Sequence, residues 1–222
     1  MSYRLEKVGK RFNSGRKQLP VLADVSLELP AGSPLVIQGA SGSGKTTLLN
    51  LLGGLDHPSE GEIFWKEQSL SRMSRAEAAV WRNRHVGFIF QSYHLMPELN
   101  ALENVLLPGW LGRKDPQAKA LELLERVGLS ERLDHLPREL SGGEQQRVAI
   151  ARSLINDPEI ILADEPTGNL DAHNGEEILH LLLDLTAQTK KVFILVTHDD
   201  AIAKQLPLRY RLSHGELKLS GS

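Results

Sequence analysis

The stretch Gly39-Ala40-Ser41-Gly42-Ser43-Gly44-Lys45-Thr46 fits the pattern G-x-x-x-x-G-K-[ST], between an apolar run, Leu35-Val36-Ile37, and a helix-like run that begins at Thr47. Glycines in such a loop let successive backbone N–H groups converge on an anion, and the N-terminus of the following helix adds its partial positive charge. Lys45 can then reach the outer phosphates of a nucleoside triphosphate, and the Thr46 hydroxyl can ligate Mg²⁺. Gly39, Ser41, Gly42, Ser43, Gly44, Lys45, Thr46 and Thr47 are expected to hold a nucleoside triphosphate.

A second group with chemical potential is Ile160-Ile161-Leu162-Ala163-Asp164-Glu165, an apolar run that ends in two carboxylates. Acids at the C-terminal end of a strand in an open α/β sheet lie at the ligand crevice. Asp164 can hold Mg²⁺ while Glu165 polarises an attacking water. A third group is Leu140-Ser141-Gly142-Gly143-Glu144-Gln145. Ser141 and Glu144 have the spacing of a capping box, which explains a helix start but not two consecutive glycines. Gly142 and Gly143 expose backbone N–H groups beside a helix N-terminus, a second anion site. Two phosphate sites in one chain suit a head-to-tail pair of copies, each nucleotide lying between the Lys45 loop of one and the Ser141-Gly142-Gly143 helix of the other.

The elements that must position these groups are legible in outline. Val21, Ala23, Val25, Leu27 and Leu29 alternate with polar residues, the period of a half-buried strand in an antiparallel N-terminal sheet, ahead of a turn at Pro30-Ala31-Gly32. Three runs lack alternation and read as parallel strands buried on both faces: Gly87-Phe88-Ile89-Phe90, Ile160 to Ala163 and Val192 to Val196. Helices are expected after Ser74 (with Glu77 three residues on), after Asp115-Pro116 along a Leu121/Leu124/Val127 stripe closed by Gly128, and from Asn174 along Ile178, Leu181, Leu182 and Leu185. Arg209 to Leu212 and Glu216 to Leu219, joined by Ser213-His214-Gly215, read as a hairpin. Trp65, Trp81 and Trp110 read as packing residues, and the histidines other than His198 show no ligand spacing.

Composition narrows the function. The 222 residues are 41% hydrophobic and 24% charged, near the averages for globular chains and in keeping with a compact enzyme. With 26 basic and 28 acidic residues the net charge is −2, so there is no electrostatic footprint for nucleic acid, which is not expected as a partner. No cysteine occurs, which removes disulfides, thiol nucleophiles and cysteine-zinc sites. No apolar run approaches the ~20 residues needed to cross a bilayer, so work at a membrane would need another chain to span it.

Taken together, these motifs resemble the ATP-binding-cassette ATPases over nearly the whole chain. Besides the three groups above, Gln91 follows the Phe88-Ile89-Phe90 run, Asn169-Leu170-Asp171 follows the acids, and His198 follows the Val192 to Thr197 run. The resemblance implies an α/β P-loop NTPase with a parallel-sheet core, an N-terminal antiparallel β-subdomain and a helical subdomain at about 92–157, all in one domain of residues 1–222. It implies that Gln91 helps ligate Mg²⁺ and senses a membrane partner, that Asp171 communicates across a homodimer, and that His198 holds the γ-phosphate. Phe12 matches the aromatic that stacks on adenine, usually Tyr in the family, and keeps the π face.

Chromosome ATPases of this kind carry long heptad insertions, excision-repair relatives carry zinc cysteines, and ribosomal factors usually fuse two cassettes; none of these features is present. A transporter motor remains. Gln91-Ser92-Tyr93-His94-Leu95-Met96-Pro97, Asn100 to Val105, Gly53-Gly54-Leu55-Asp56 and Pro166 to Asp171 resemble the branch of lipoprotein-releasing and macrolide-export ATPases, with related motors signalling to cell-wall hydrolases. In that branch closure of the ATPase dimer drives a mechanical stroke in a separate permease. The expected place is the cytoplasmic face of the inner membrane, with the permease docked near Gln91 to Leu99, where Tyr93, His94, Leu95, Met96 and Leu99 form an apolar cluster.

Overall fold

The computed structural model describes residues 3–15, 17–29, 32, 34–112, 115–187 and 191–220. In chain order the elements are β1 (Tyr3–Ser14), β2 (Lys17–Leu29), β3 (Leu35–Gln38), α1 (Lys45–Leu52), β4 (Glu60–Trp65), β5 (Gln68–Ser69) and α2 (Arg75–His85). There follow β6 (Val86–Phe90), α3 (Ala101–Leu111), α4 (Gln117–Arg126), α5 (Gly142–Leu154), β7 (Ile160–Asp164) and α6 (Ala172–Ala187). The chain closes with β8 (Val192–Thr197), α7 (Asp200–Ala203), β9 (Leu208–Ser213) and β10 (Glu216–Leu219). Among the described residues no helix is long and apolar enough to cross a membrane.

Two compact units emerge, one of residues up to Ala79 together with those from Val192 onward, the other Val80–Lys191. In the first, an antiparallel sheet runs in the order β2-β1-β4-β5, as expected from the alternation. The phase of that alternation is corrected: Val25, Leu27 and Leu29 are buried, but Ala23 is exposed and Leu22 is buried in its place. The cause is a bulge. Val8 pairs with Val25 but Lys10 with Leu22, which leaves β2 one residue longer, and Asp24 absorbs it at φ 49°. Of the predicted turn after β2, Pro30 and Ala31 lie outside the described residues. The Tyr3 hydroxyl donates to the carbonyl of Leu52 at 2.8 Å and its ring meets Trp65 at 4.9 Å, which fixes the sheet against α1. The same unit holds β3 in parallel between β8 and β9, with β10 antiparallel to β9 through a two-residue turn at His214 and Gly215, both at positive φ. Ser213 belongs to the strand rather than the turn.

In the second unit β6 pairs in parallel with β7. All five residues of β7 are buried, as are all six of β8 in the first unit. The expectation of burial on both faces does not hold for β6, which alternates: Gly87 and Ile89 are buried, while Phe88 and Phe90 are half-buried and stack at 5.2 Å. Gly87 is where α5 comes close, since a methyl there would stand 2.3 Å from the Ser153 carbonyl. In this unit α5 packs against β6 and against α3, α4 and α6.

The helix signals resolve with three corrections. Ser74 and Glu77 form their reciprocal box at the start of α2. In α4 the buried face is Ala120, Leu123 and Leu124, with Val127 beyond; Leu121 is exposed. The start of α6 belongs to Asp171, whose Oδ1 accepts from the N–H groups of His173 and Asn174, so Asn174 lies within the first turn. Trp65 and Trp81 are buried as expected, but Trp110, at the end of α3, is half in solvent at 47% exposure.

Candidate functional site

The glycine-rich loop joins β3 to α1, and its geometry follows from its residues. Gly42 (φ 76°) and Gly44 (φ 101°) take left-handed backbones that a side chain would strain, and Gly44 caps α1 without a side-chain partner. The first N–H groups of α1 are thereby directed at the loop. Lys45 is only 7% exposed, and its Nζ donates to the carbonyls of Gly39 (2.9 Å) and Ala40 (3.2 Å). Its ammonium is thus held at the start of the loop. The Oγ of Ser43 is buried and finds no hydrogen-bond partner among the described residues, the condition of a donor awaiting a ligand oxygen. Thr46 is exposed and Thr47 half-buried.

A cleft of about 780 Å³ opens over this loop, lined by Gly39 to Ser43, His198, Asp200, Arg211 and the strand residues Leu19, Pro20 and Val21. His198, exposed at the end of β8, thus shares a cleft with the phosphate loop because β8 and β3 are parallel neighbours with Gln38 opposite Thr197. Phe12 pairs across β1 and β2 with Leu19, and both are exposed, at 42% and 58%. The Lys10 ammonium lies 5.0 Å from the Phe12 ring centre, fixed there by Asp56 (2.6 Å) and the His57 carbonyl (2.7 Å). An apolar, aromatic ledge beside a phosphate cradle suits a nucleotide base and its phosphates in that order.

The second unit assembles the remaining expected residues. Asp164 ends β7 at 9% exposure, and Glu165 follows in a left-handed backbone at φ 46°. Gln91 leaves β6 on the parallel neighbour. Its carboxamide donates to Asn169 Oδ1 at 3.2 Å, and Asn169 donates back to the Gln91 carbonyl at 2.8 Å. Asp171 accepts from the Asn174 side chain at 2.5 Å, and that bond, with the Asn174 backbone N–H next, holds its carboxyl below the usual range.

Ser141 caps α5: its Oγ accepts from the Glu144 N–H at 3.2 Å and its N–H donates to Glu144 Oε2 at 2.8 Å. That backbone bond is the first cause holding the Glu144 carboxyl below its ordinary value, with the Ser141 hydroxyl and Arg132 (3.0 Å) adding to it. Gly142 and Gly143 form the first turn against Tyr93 and Asn174 respectively.

Four residues without a role of their own in the sequence analysis organise this region. Gln146, fully buried in α5, donates to the Pro166 carbonyl at 2.7 Å. Asn169 clasps Gln91, and Arg152 binds two carbonyls after it. Asn104, also fully buried, shapes the Met96 to Asn100 loop by accepting from the Met96 N–H and donating to the carbonyls of Met96, Leu99 and Asn100. A polar residue amid an apolar helix stripe was the available signal for Gln146 and Asn104. The five residues of the apolar cluster form no core: Tyr93, Leu95 and Leu99 are half-buried, His94 and Met96 exposed.

Residues 22–168 match the family described as ABC transporter. The chain is 48% identical over 217 residues to the lipoprotein-releasing system ATP-binding protein LolD of Idiomarina loihiensis, covering 96% of this chain and 95% of that protein. It is 49% identical, with the same coverage, to the protein of that name from Saccharophagus degradans. Two solved structures of the cassette MJ0796 superpose with TM-scores of 0.90, one a dimer in a post-hydrolysis state with ADP and Pi bound (38% identity), the other a dimer described as a bacterial ABC transporter cassette (39%). Each superposition covers 99% of this chain and 100% of the other.

Proposed function

The chain belongs to the ABC transporter family, and on that premise we propose that it is the motor subunit of a lipoprotein-releasing transporter, driving a mechanical stroke in a separate membrane permease. Its fold is the α/β P-loop NTPase fold of ABC ATPases, and it binds and hydrolyses ATP. The observation that carries the finer reading is the 48–49% identity, over 96% of the chain, to proteins named for lipoprotein release. In this reading the single domain carries a helical subdomain at about 92–157 within a RecA-like core, and the protein works as a homodimer, peripheral on the cytoplasmic face of the inner membrane.

The adenine stacks on Phe12, and the β- and γ-phosphates occupy the loop from Gly39 to Thr46, where the Ser43 hydroxyl and the α1 N–H groups receive them. Lys45 gives up its loop carbonyls for phosphate oxygens. The donors assigned to Mg²⁺, the Thr46 hydroxyl, the Gln91 carboxamide oxygen and the Asp164 carboxylate, are all hard oxygens, which fits that ion. When bound, Mg²⁺ neutralises charge on the phosphate oxygens. Glu165 orients a water and accepts its proton as the water attacks the γ-phosphorus in line and ADP departs. His198 holds the γ-phosphate. The Ser141-Gly142-Gly143 helix start of the second copy closes over the same nucleotide, with Asp171 relaying across the dimer.

Glu165→Gln removes the proton acceptor while keeping size, so hydrolysis should stop and the closed dimer accumulate. That variant, tagged and captured with Mg·ATP from detergent-solubilised membranes, should bring with it a permease of few spans and a large external domain. Recovery of soluble partners alone, or of nucleic acid, overturns the transporter reading; turnover at the wild-type rate removes Glu165 from the general-base role.

A further inference from the structure

Two consecutive non-glycine residues, Tyr93 and His94, hold left-handed backbones at φ 59° and 49°, two and three positions after Gln91. Such a pair persists only where its surroundings hold it. Here the holder is Arg152, in the last turn of α5. One guanidinium nitrogen donates to the Tyr93 carbonyl and another to the His94 carbonyl, each at 2.5 Å. Burial pushes the guanidinium pKa down to about 10, so the group is desolvated yet charged at neutral pH, where charge-assisted bonds are strongest.

Tyr93 also reaches the other end of α5. A methyl group on Gly142 would stand 3.0 Å from the Tyr93 hydroxyl and 3.4 Å from the Leu170 side chain. The segment after Gln91 is therefore fastened to α5 by its backbone at Arg152, and the Tyr93 hydroxyl lies beside Gly142 at the other end of that helix.

We propose that Arg152 is a positioning residue for ATP hydrolysis: by tying the Tyr93 and His94 carbonyls to α5, it makes the backbone after Gln91 and the Ser141-Gly142-Gly143 helix start move as one piece. The proposal rests on the reading above, in which Gln91 and Ser141 act on nucleotide. A planar guanidinium spans both carbonyls at once; an ammonium is a point donor and does not.

The test uses the purified full chain with Arg152→Lys, reading affinity for a fluorescent ATP analogue, kcat and KM for hydrolysis, and amide hydrogen exchange. Arg152→Lys should leave analogue affinity within about twofold and lower kcat about tenfold at unchanged KM. Exchange should accelerate together over residues 92–99 and 141–146. Should Arg152→Lys fail to fold, Tyr93→Ala, which removes the ring but leaves the carbonyls, must lower kcat and accelerate exchange at 141–146. Unchanged kcat, or faster exchange confined to 92–99, overturns the proposal. Gln91→Ala and Ser141→Arg run beside it separate the two failures: if both keep full hydrolysis the nucleotide reading falls, whereas if both lose it while Arg152→Lys does not, only the role of Arg152 falls.

Discussion

The side chains of Gln91 and Asn169 clasp each other reciprocally, the first carboxamide donating to the second at 3.2 Å and the second donating to the first residue's backbone carbonyl at 2.8 Å. Gly168 sits underneath, so close that a methyl there would stand 2.8 Å from the Gln91 nitrogen. The turn that leaves β6 and the turn that follows Glu165 are thus one hydrogen-bonded unit, and a displacement at either is felt at the other. This gives Asn169 a role in aligning Gln91 that its own chemistry would not suggest.

Asn169→Ala deletes both bonds but leaves the freed groups accessible to water, so its cost is that of ordinary hydrogen bonds, about 1 kcal/mol. The expected outcome is a kcat about fivefold lower with nucleotide affinity unchanged, read by steady-state phosphate release and by titration with a fluorescent nucleotide. Affinity falling in step with kcat would place Asn169 in ground-state binding instead.

The cap of α5 predicts a pH dependence. The Glu144 carboxyl is held below its ordinary value by the Ser141 N–H, the Ser141 hydroxyl and Arg132, and Asp171 is held down by Asn174. A carboxyl depressed in the folded state adds stability above its unfolded-state pKa and loses it as pH falls through the folded value. Urea unfolding should therefore show stability falling through the acid range below about pH 5, and Glu144→Gln should flatten that limb. Ser141→Ala should cost about 1 kcal/mol at neutral pH, as loss of an N-cap does.

What was legible in the sequence is what lies contiguously along it. The glycine-rich loop between β3 and α1 spans eight successive residues, and the Ser141/Glu144 box four; the place of each in the fold read directly. Gln146, Asn169 and Arg152 act on carbonyls 20, 78 and 59 residues distant, so no local spacing announces them. The phase error in β2 has a different origin, since apolar alternation carries no mark of the bulge at Asp24. The half-burial of Phe88 and Phe90 in β6 and the exposure of Trp110 depend on what covers them, which composition does not report. Asp171 and Asn174 are both good helix starters three residues apart, and only the observed bonds separate cap from first turn.

Phe12 carries a prediction about base recognition. Its ring is half exposed beside Leu19 and faces the Lys10 ammonium at 5.0 Å, so one π face is oriented while the stacking surface stays open. Base stacking on an aromatic is worth about 1–3 kcal/mol. Phe12→Ala should weaken ATP binding by about tenfold, whereas Phe12→Tyr, which keeps the π face, should stay within about twofold of wild type. Equal affinity for all three, measured by calorimetry, would move the base away from this ledge.

The proposal that a permease docks on the loop after Gln91 can be tested without disturbing the ATPase, provided the right residue is changed. Tyr93 is a poor choice because its hydroxyl lies against Gly142 and its carbonyl against Arg152. Met96 is a good one. Its backbone is held on both sides by Asn104, at 2.8 and 3.1 Å, while its side chain is 46% exposed, so the loop keeps its shape whatever the side chain. A carboxylate placed there, or at half-buried Leu95, would have to be desolvated against an apolar partner helix, a cost that partner contacts cannot offset. Met96→Asp should leave hydrolysis by the isolated protein within about twofold and abolish co-purification with the permease. Retention of the permease by Met96→Asp and Leu95→Asp alike would move the docking surface away from the loop after Gln91.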